Sequence, residues 1–262
     1  MSRQPHPLER PPHPNSTVEQ EASSVNVSLV GRARPLITYI LMGVNIGIFT
    51  LAFLLNAQEI AVRWGGIYAP DIVDANQYYR LISAMFIHGG LAHLFFNMLS
   101  LYFIGRNVEQ LYGGSSFLVI YLVGGLIGSA VSFAFGNFDR ISVGSSGAVF
   151  AIFAARLAFF YRYRKRLSNY GREQVQSDIF LLLINLFVGF SSSNIDNWGH
   201  LGGLMGGATL SWVLMPIIMI THVQATPTPR FTVEYQQPTQ NRLPATVGGL
   251  LLMMLIVLYR LA

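Results

Sequence analysis

Ser115–Gly136 reads SSFLVIYLVGGLIGSAVSFAFG, a stretch without a single charged side chain. It meets the length of ~20 apolar residues that a helix needs to cross hydrocarbon. Similar stretches recur near 36–56, 91–111, 145–163, 178–191, 199–220 and 245–261, the fifth short and the last nearly unbroken from Val247 to Leu258. Across the 262 residues 52% are hydrophobic and only 11% charged. Soluble domains average about 25% charged residues, so a soluble fold would leave much of this apolar surface uncovered. The pattern predicts an all-α, polytopic membrane helix bundle. A six-helix core occupies 35–220, and a seventh transmembrane helix occupies 245–262.

The segments between the spans fit that frame. Residues 1–34 are polar and proline-rich and are expected to form a disordered cytoplasmic tail. The first loop, 57–90, mixes Trp64, Tyr68, Asp71, Asp74, Tyr78, Tyr79 and Arg80 with short apolar pieces, a composition suited to the membrane interface. Residues 221–244 read as a cytoplasmic linker. With the N-terminus inside, only Arg63, Arg80, Arg140 and Arg260 of the 17 Lys and Arg fall outside. That bias follows the positive-inside rule, and it accounts for the net charge of +5 without any nucleic-acid partner. Lipids are the expected surroundings. The lack of a targeting presequence favours the plasma membrane. Cysteine is absent, which excludes thiol nucleophiles and Cys-ligated metals.

Polar residues inside spans are costly and mark functional positions by default. Three groups stand out: His88, His93 and Asn97 at the second span; Gly144-Ser145-Ser146-Gly147 at the fourth; and Asn197-Trp198-Gly199-His200 at the sixth. In the inside-first topology all three enter from the outer face, so they share one depth. A serine beside a neutral histidine supports acyl transfer, with the imidazole taking the hydroxyl proton. His93 and Asn97, four residues apart, project from one helix face and suit an oxyanion site. Backbone N–H groups at the start of the fourth helix add donors. Each group has a structural alternative. Ser145 is the better candidate for a helix N-cap and Ser146 for the nucleophile, although spacing barely separates them. His88 suits loop hydrogen bonding, and Gly202/Gly206 and Gly203/Gly207 suit close helix packing. No HExxH motif or carboxylate at ligand spacing accompanies His88, His93 and His200, so neither metal nor cofactor is expected. Asp196 lies in a polar loop, Ser191 to Asn197, expected to face solvent; Asp196→Ala is then expected to keep most activity.

Gly144-Ser145-Ser146-Gly147 resembles the GxSG motif of the rhomboid family of intramembrane serine proteases. His88 through His93 to Asn97 is similar to that family's HxxxxHxxxN signature, and Gly199-His200-Leu-Gly-Gly203-Leu-Met-Gly-Gly207 to its sixth-helix motif. The resemblance implies a serine endopeptidase with a Ser146–His200 dyad and no third acidic member. It also implies an oxyanion site of His93, Asn97 and the Ser146 amide, and transmembrane protein substrates cut near the outer face. Tyr79-Arg80 stands where the family has Trp-Arg, and Glu109 resembles its structural glutamate. Phe150 replaces a tyrosine that stacks on the histidine, keeping the ring and losing the hydroxyl. His88, Gly144, Gly147, Gly203 and Gly207 complete the expected supporting set. A catalytically inactive rhomboid-like binding module is the alternative. Natural substrate and oligomeric state leave no mark in the sequence.

Overall fold

The computed structural model describes residues 34–192, 194–223, 230–236 and 239–262, so the tail expected at 1–34 lies, except for Arg34, outside the described residues. Long helices occupy all seven apolar stretches. They are α1 (Leu36–Leu54), the run from Leu91 to Tyr112, α7 (Gly114–Phe135), α8 (Ser146–Tyr163), α9 (Ser168–Ser191), α10 (Asn197–Leu214) and α11 (Arg242–Leu261). The second of these comprises α5 (Leu91–Ser100), a π-helical turn over Leu101–Gly105 and α6 (Arg106–Tyr112). The first loop folds into short helices α2 (Gln58–Gly65), α3 (Ala69–Ala75) and α4 (Arg80–Ser83), with a 3₁₀ turn to Phe86. Among the described residues the one sheet is a two-stranded ribbon, β1 (Ile217–Val223) paired with β2 (Arg230–Gln236), within and before the stretch read as a linker.

Among the described residues four helices (α1, α7, most of α9, and α11) are long and apolar enough to cross a bilayer, and a fifth span is reached if Arg80–Phe86 and Leu91–Tyr112, bent by 87°, count as one. The protein is thus a multi-pass membrane protein. α8 and α10, 18 residues each, fall outside that apolar set. They can be less apolar because neighbouring helices, not lipid, cover much of them: α8 buries Ala148 through Ala155 without interruption. The fifth span corrects the expectation. It begins at Ser168, not near 178, because Asp178 and the polar residues before it continue the helix. Asp178 is fully buried there and forms an ion pair of 2.6 Å with Arg156 of α8. Arg156 also donates to Gln174. A buried carboxylate needs such a partner, so the pair pins α9 to α8.

Several polar ties fix the remaining elements. α1 opens without a side-chain cap of its own. The buried Glu109 carboxylate, on α6, instead accepts the Ile37 and Thr38 amides at 2.9 and 2.8 Å and the Thr38 hydroxyl at 2.6 Å. An anion at a helix N-terminus meets its unpaired donors and the positive end of its dipole. Arg80, completely buried, organises the first loop by donating to the Arg63 and Gly66 carbonyls, to Gln77 and to Asp71. The Tyr79 hydroxyl donates to the Trp64 carbonyl and lies within hydrogen-bond distance of the Gln77 side chain. Ile67, Ala69, Ile72, Leu81 and Ala84 of this loop form an apolar cluster with Ala130 and Phe133 of α7 and Val257 of α11. α11 is also tied to α7 near both ends, through Arg242 to Ser116 and Arg260 to the Ala134 carbonyl.

Replacing Glu109 by alanine leaves the Ile37 and Thr38 amides and the Thr38 hydroxyl without their acceptor. Charge-assisted bonds contribute about 1.5–3 kcal/mol each before relaxation, so a loss of at least ~2 kcal/mol is expected. Thermal unfolding of the purified Glu109→Ala protein in detergent checks this; an unchanged midpoint would show that α1 is held by other means.

Candidate active site

The three polar groups converge at one end of the bundle. Ser146 is the first residue of α8, and the first helical backbone bond, Val149 N–H to the Ser145 carbonyl at 2.9 Å, leaves the preceding amides of that turn without helical acceptors. The Ser146 hydroxyl oxygen lies 2.9 Å from Nε2 of His200, in the first turn of α10. Phe150, one turn along α8, stacks on the His200 ring with centroids 4.3 Å apart and planes within 13°. The phenylalanine thus supplies the stacking face that fixes the imidazole plane.

Glycines set this spacing. A Cβ on Gly203 would stand 2.0 Å from the Gly147 carbonyl oxygen, and one on Gly207 2.2 Å from that of Ala151. α10 therefore touches the backbone of α8 along the small-residue face read in the sequence, as close helix packing in lipid requires. Gly144 has φ +126°, a conformation that disfavours any side chain. Its added Cβ would lie 2.6 Å from both Cε1 and Nε2 of His93, so the His93 ring rests on the loop just before Ser146.

His93, Asn97, Ser146, Phe150 and His200 line one broad cleft of about 1500 Å³, bounded also by α9 residues such as Val188. One Asn97 amide hydrogen is directed back to the His93 carbonyl, 2.9 Å away. His88 is buried, with Nε2 3.3 Å from the Ser145 hydroxyl and its ring 5.2 Å edge-on from that of His93. Ser145 occupies the N-cap position but makes no side-chain capping bond, so its hydroxyl serves His88 and not the helix end. Arg80 and Glu109 stand apart, in the first-loop and α1 networks described above.

Asp196 corrects the sequence reading. It is half-buried, not a solvent-facing loop residue. Its carboxylate caps α10 by accepting the Gly199 amide at 2.9 Å and also accepts the Ser132 and Ser142 hydroxyls, each at 2.5 Å. An aspartate three residues before Gly199 is a legible N-cap signal. Its two serine partners, on other segments, are not. Nδ1 of His200 has no hydrogen-bond partner among the described residues, so this carboxylate does not orient the imidazole directly.

A family model of the Rhomboid domain matches residues 75–217, from the first loop through α10. The chain belongs to the rhomboid family. Among curated relatives, the rhomboid protease GluP of Bacillus subtilis is 34% identical over 192 residues, 72% of this chain and 37% of GluP. YdcA of the same organism is 32% identical over 183 residues, 70% of this chain and 89% of YdcA. RHOMBOID-like protein 2 of Arabidopsis thaliana is 37% identical over 153 residues, 58% of this chain and 47% of the relative. The matched region thus covers nearly all of YdcA but under half of GluP and of the plant rhomboid.

No described group of three or more His, Cys, Asp or Glu is arranged to hold a metal ion. The chemistry available is that of a hydroxyl, an adjacent imidazole and amide donors on a helix start. Because Gly203 sets the approach of α10 to α8, Gly203→Ala should lower the rate at which a fluorophosphonate labels Ser146 by about tenfold or more, since ~1 Å of misplacement can cost 10²-fold. Labelling of the folded variant at the wild-type rate would show that the helices accommodate a methyl group without moving the pair.

Proposed function

We propose that this rhomboid is an intramembrane serine endopeptidase in which Ser146 is the nucleophile and His200 the base. The 2.9 Å contact between Ser146 Oγ and His200 Nε2 carries the reading. The rhomboid proteases among its relatives support it, as does the match through 75–217. His200 takes the Ser146 proton as Oγ adds to the scissile carbonyl carbon, giving a tetrahedral intermediate. Its oxyanion is met by the free amides at the start of α8, with His93 and Asn97 beside them. Collapse expels the amine, which takes the proton from His200 and leaves an acyl-Ser146 ester. Water, deprotonated by His200, then adds to the ester carbonyl and regenerates the hydroxyl.

The substrates are transmembrane helices, cut near the outer face of the plasma membrane with the N-terminus of this chain inside. A helix hides its carbonyls in hydrogen bonds, so segments with small, helix-weak residues should be cut fastest. Replacing a Gly/Ala pair near the cut site of one substrate by Leu should slow its cleavage severalfold. Equal rates would remove unwinding from the mechanism.

The central test uses purified protein in liposomes, a reporter with one transmembrane helix, and EDTA present throughout. Wild type should cut the reporter near its outer boundary, and Ser146→Ala should not. Fluorophosphonate labelling of Ser146 without cleavage would keep the chemistry and reject the reporter. Neither cleavage nor labelling would favour a rhomboid-like module that binds membrane proteins without cutting them.

A further inference from the structure

We propose that Asp196 is a positioning residue that sets the Ser146–His200 geometry by binding the segments that carry them both; this rests on the protease reading above. Its carboxylate is where three parts of the chain meet. Ser132 lies in the last turn of α7, Ser142 lies four residues before Ser146, and Gly199 immediately precedes His200. Both hydroxyls donate to the same oxygen, Oδ2, while Oδ1 takes the α10 amide. Only an acceptor with two oxygens and no hydrogen of its own satisfies all three donors in this arrangement.

Ser142 extends the joint. Its backbone pairs with Ile67 of the first loop in both directions, at 2.8 and 2.9 Å. The Ser142 hydroxyl therefore links the first loop and the approach to Ser146 to the start of α10. The segment from Ser142 to Ser146 is held further along by the Ser145 hydroxyl beside His88 and by the His93 ring against Gly144. Gly144 N–H donates to the Ala84 carbonyl at 2.9 Å, and the Gly144 backbone, at φ +126°, relies on surrounding contacts to hold it. Arg140 adds a tie between the same two loops by donating to the Asn194 side chain at 2.6 Å. Asp196 does not touch the reacting atoms. It acts through the two segments it joins.

The test compares wild type, Asp196→Ala, Asp196→Asn, Ser142→Ala and Ser142→Ala/Asp196→Ala as full-length proteins in liposomes. The readouts are kcat and KM for a reporter helix, the fluorophosphonate labelling rate per folded molecule, and the melting midpoint. Asp196→Ala should lower kcat and the labelling rate by roughly 10–100-fold, with KM within about twofold, as misplacement of otherwise intact groups does. Asparagine keeps the cap and lets the serine hydroxyls turn to accept, so it should recover most of the rate. Ser142→Ala should cost severalfold, and the double variant should be no worse than Asp196→Ala, since both remove one joint.

A lowered melting midpoint with wild-type labelling per folded molecule would overturn the proposal and leave Asp196 a cap only. A loss as deep as that of His200→Ala would also overturn it, by placing Asp196 in the chemistry. A readout free of activity separates this from failure of the protease reading. The chain has no cysteine, so spin labels at Asp139→Cys and Met205→Cys, both exposed, report the spacing of loop and α10 cleanly. Their distance distribution should broaden or shift in Asp196→Ala. An unchanged distribution overturns the joint whether or not the protein cleaves anything.

Discussion

The contact on which the site depends is the direct approach of the α10 backbone to that of α8. Gly203 sits against the Gly147 carbonyl, and Gly207 against that of Ala151, with no side chain between. In lipid, hydrophobic burial does not drive one helix against another, so association relies on close packing and polar contacts. Small residues permit the closest packing. The same face that holds the helices together thereby holds His200 at hydrogen-bond distance from Ser146. α7 completes the trio: a Cβ on Gly128 would lie 2.8 Å from the Gly199 carbonyl, and one on Gly124 2.5 Å from Cβ of Ala151. Stability and the Ser146–His200 geometry are thus one packing problem in this part of the bundle.

Around that contact, buried polar groups fix what glycines alone would leave free to slide. Glu109 binds the start of α1, Arg80 gathers the first loop, Arg156 and Asp178 join α8 to α9, and Asp196 joins α7, α10 and the loop before Ser146. Each is a carboxyl or guanidinium group with a hydrogen-bond partner on another element. Such groups are expensive to bury unless matched, so each match specifies one arrangement strongly. The bundle uses apolar surface to face lipid and charge to choose its internal register.

Much of this was legible in one dimension. The apolar stretches predict the long helices because the bilayer demands length and hydrophobicity of the helices that face it, while α8 and α10 are less apolar where neighbouring helices cover them. The positions of Ser146, His93, Asn97 and His200 follow from where polar residues enter those stretches. Sequence fails where the cause is tertiary. α9 starts at Ser168 because Asp178, which looks like a span boundary, finds Arg156 on another helix. Ser145 looks like a cap, yet its hydroxyl meets His88, far away in the chain. Asp196 looks like loop, and only its pairing with Ser132 and Ser142 shows a joint. In each case local propensity points correctly at a polar residue, and a distant partner decides its use.

The apolar cluster under the first loop has a consequence for the order of assembly. Ile67, Leu81 and Phe133 are closed over by Val257 of α11, and Arg260 reaches the end of α7. During synthesis the elements carrying His93, Ser146 and His200 are all made before α11. The cluster between the first loop and α7 remains incomplete until that helix has been inserted and docked. Early-made segments must therefore persist with part of their apolar surface uncovered, a state prone to wrong associations. α11 thus closes this cluster, so a transmembrane segment made later completes a core whose other members were synthesised first.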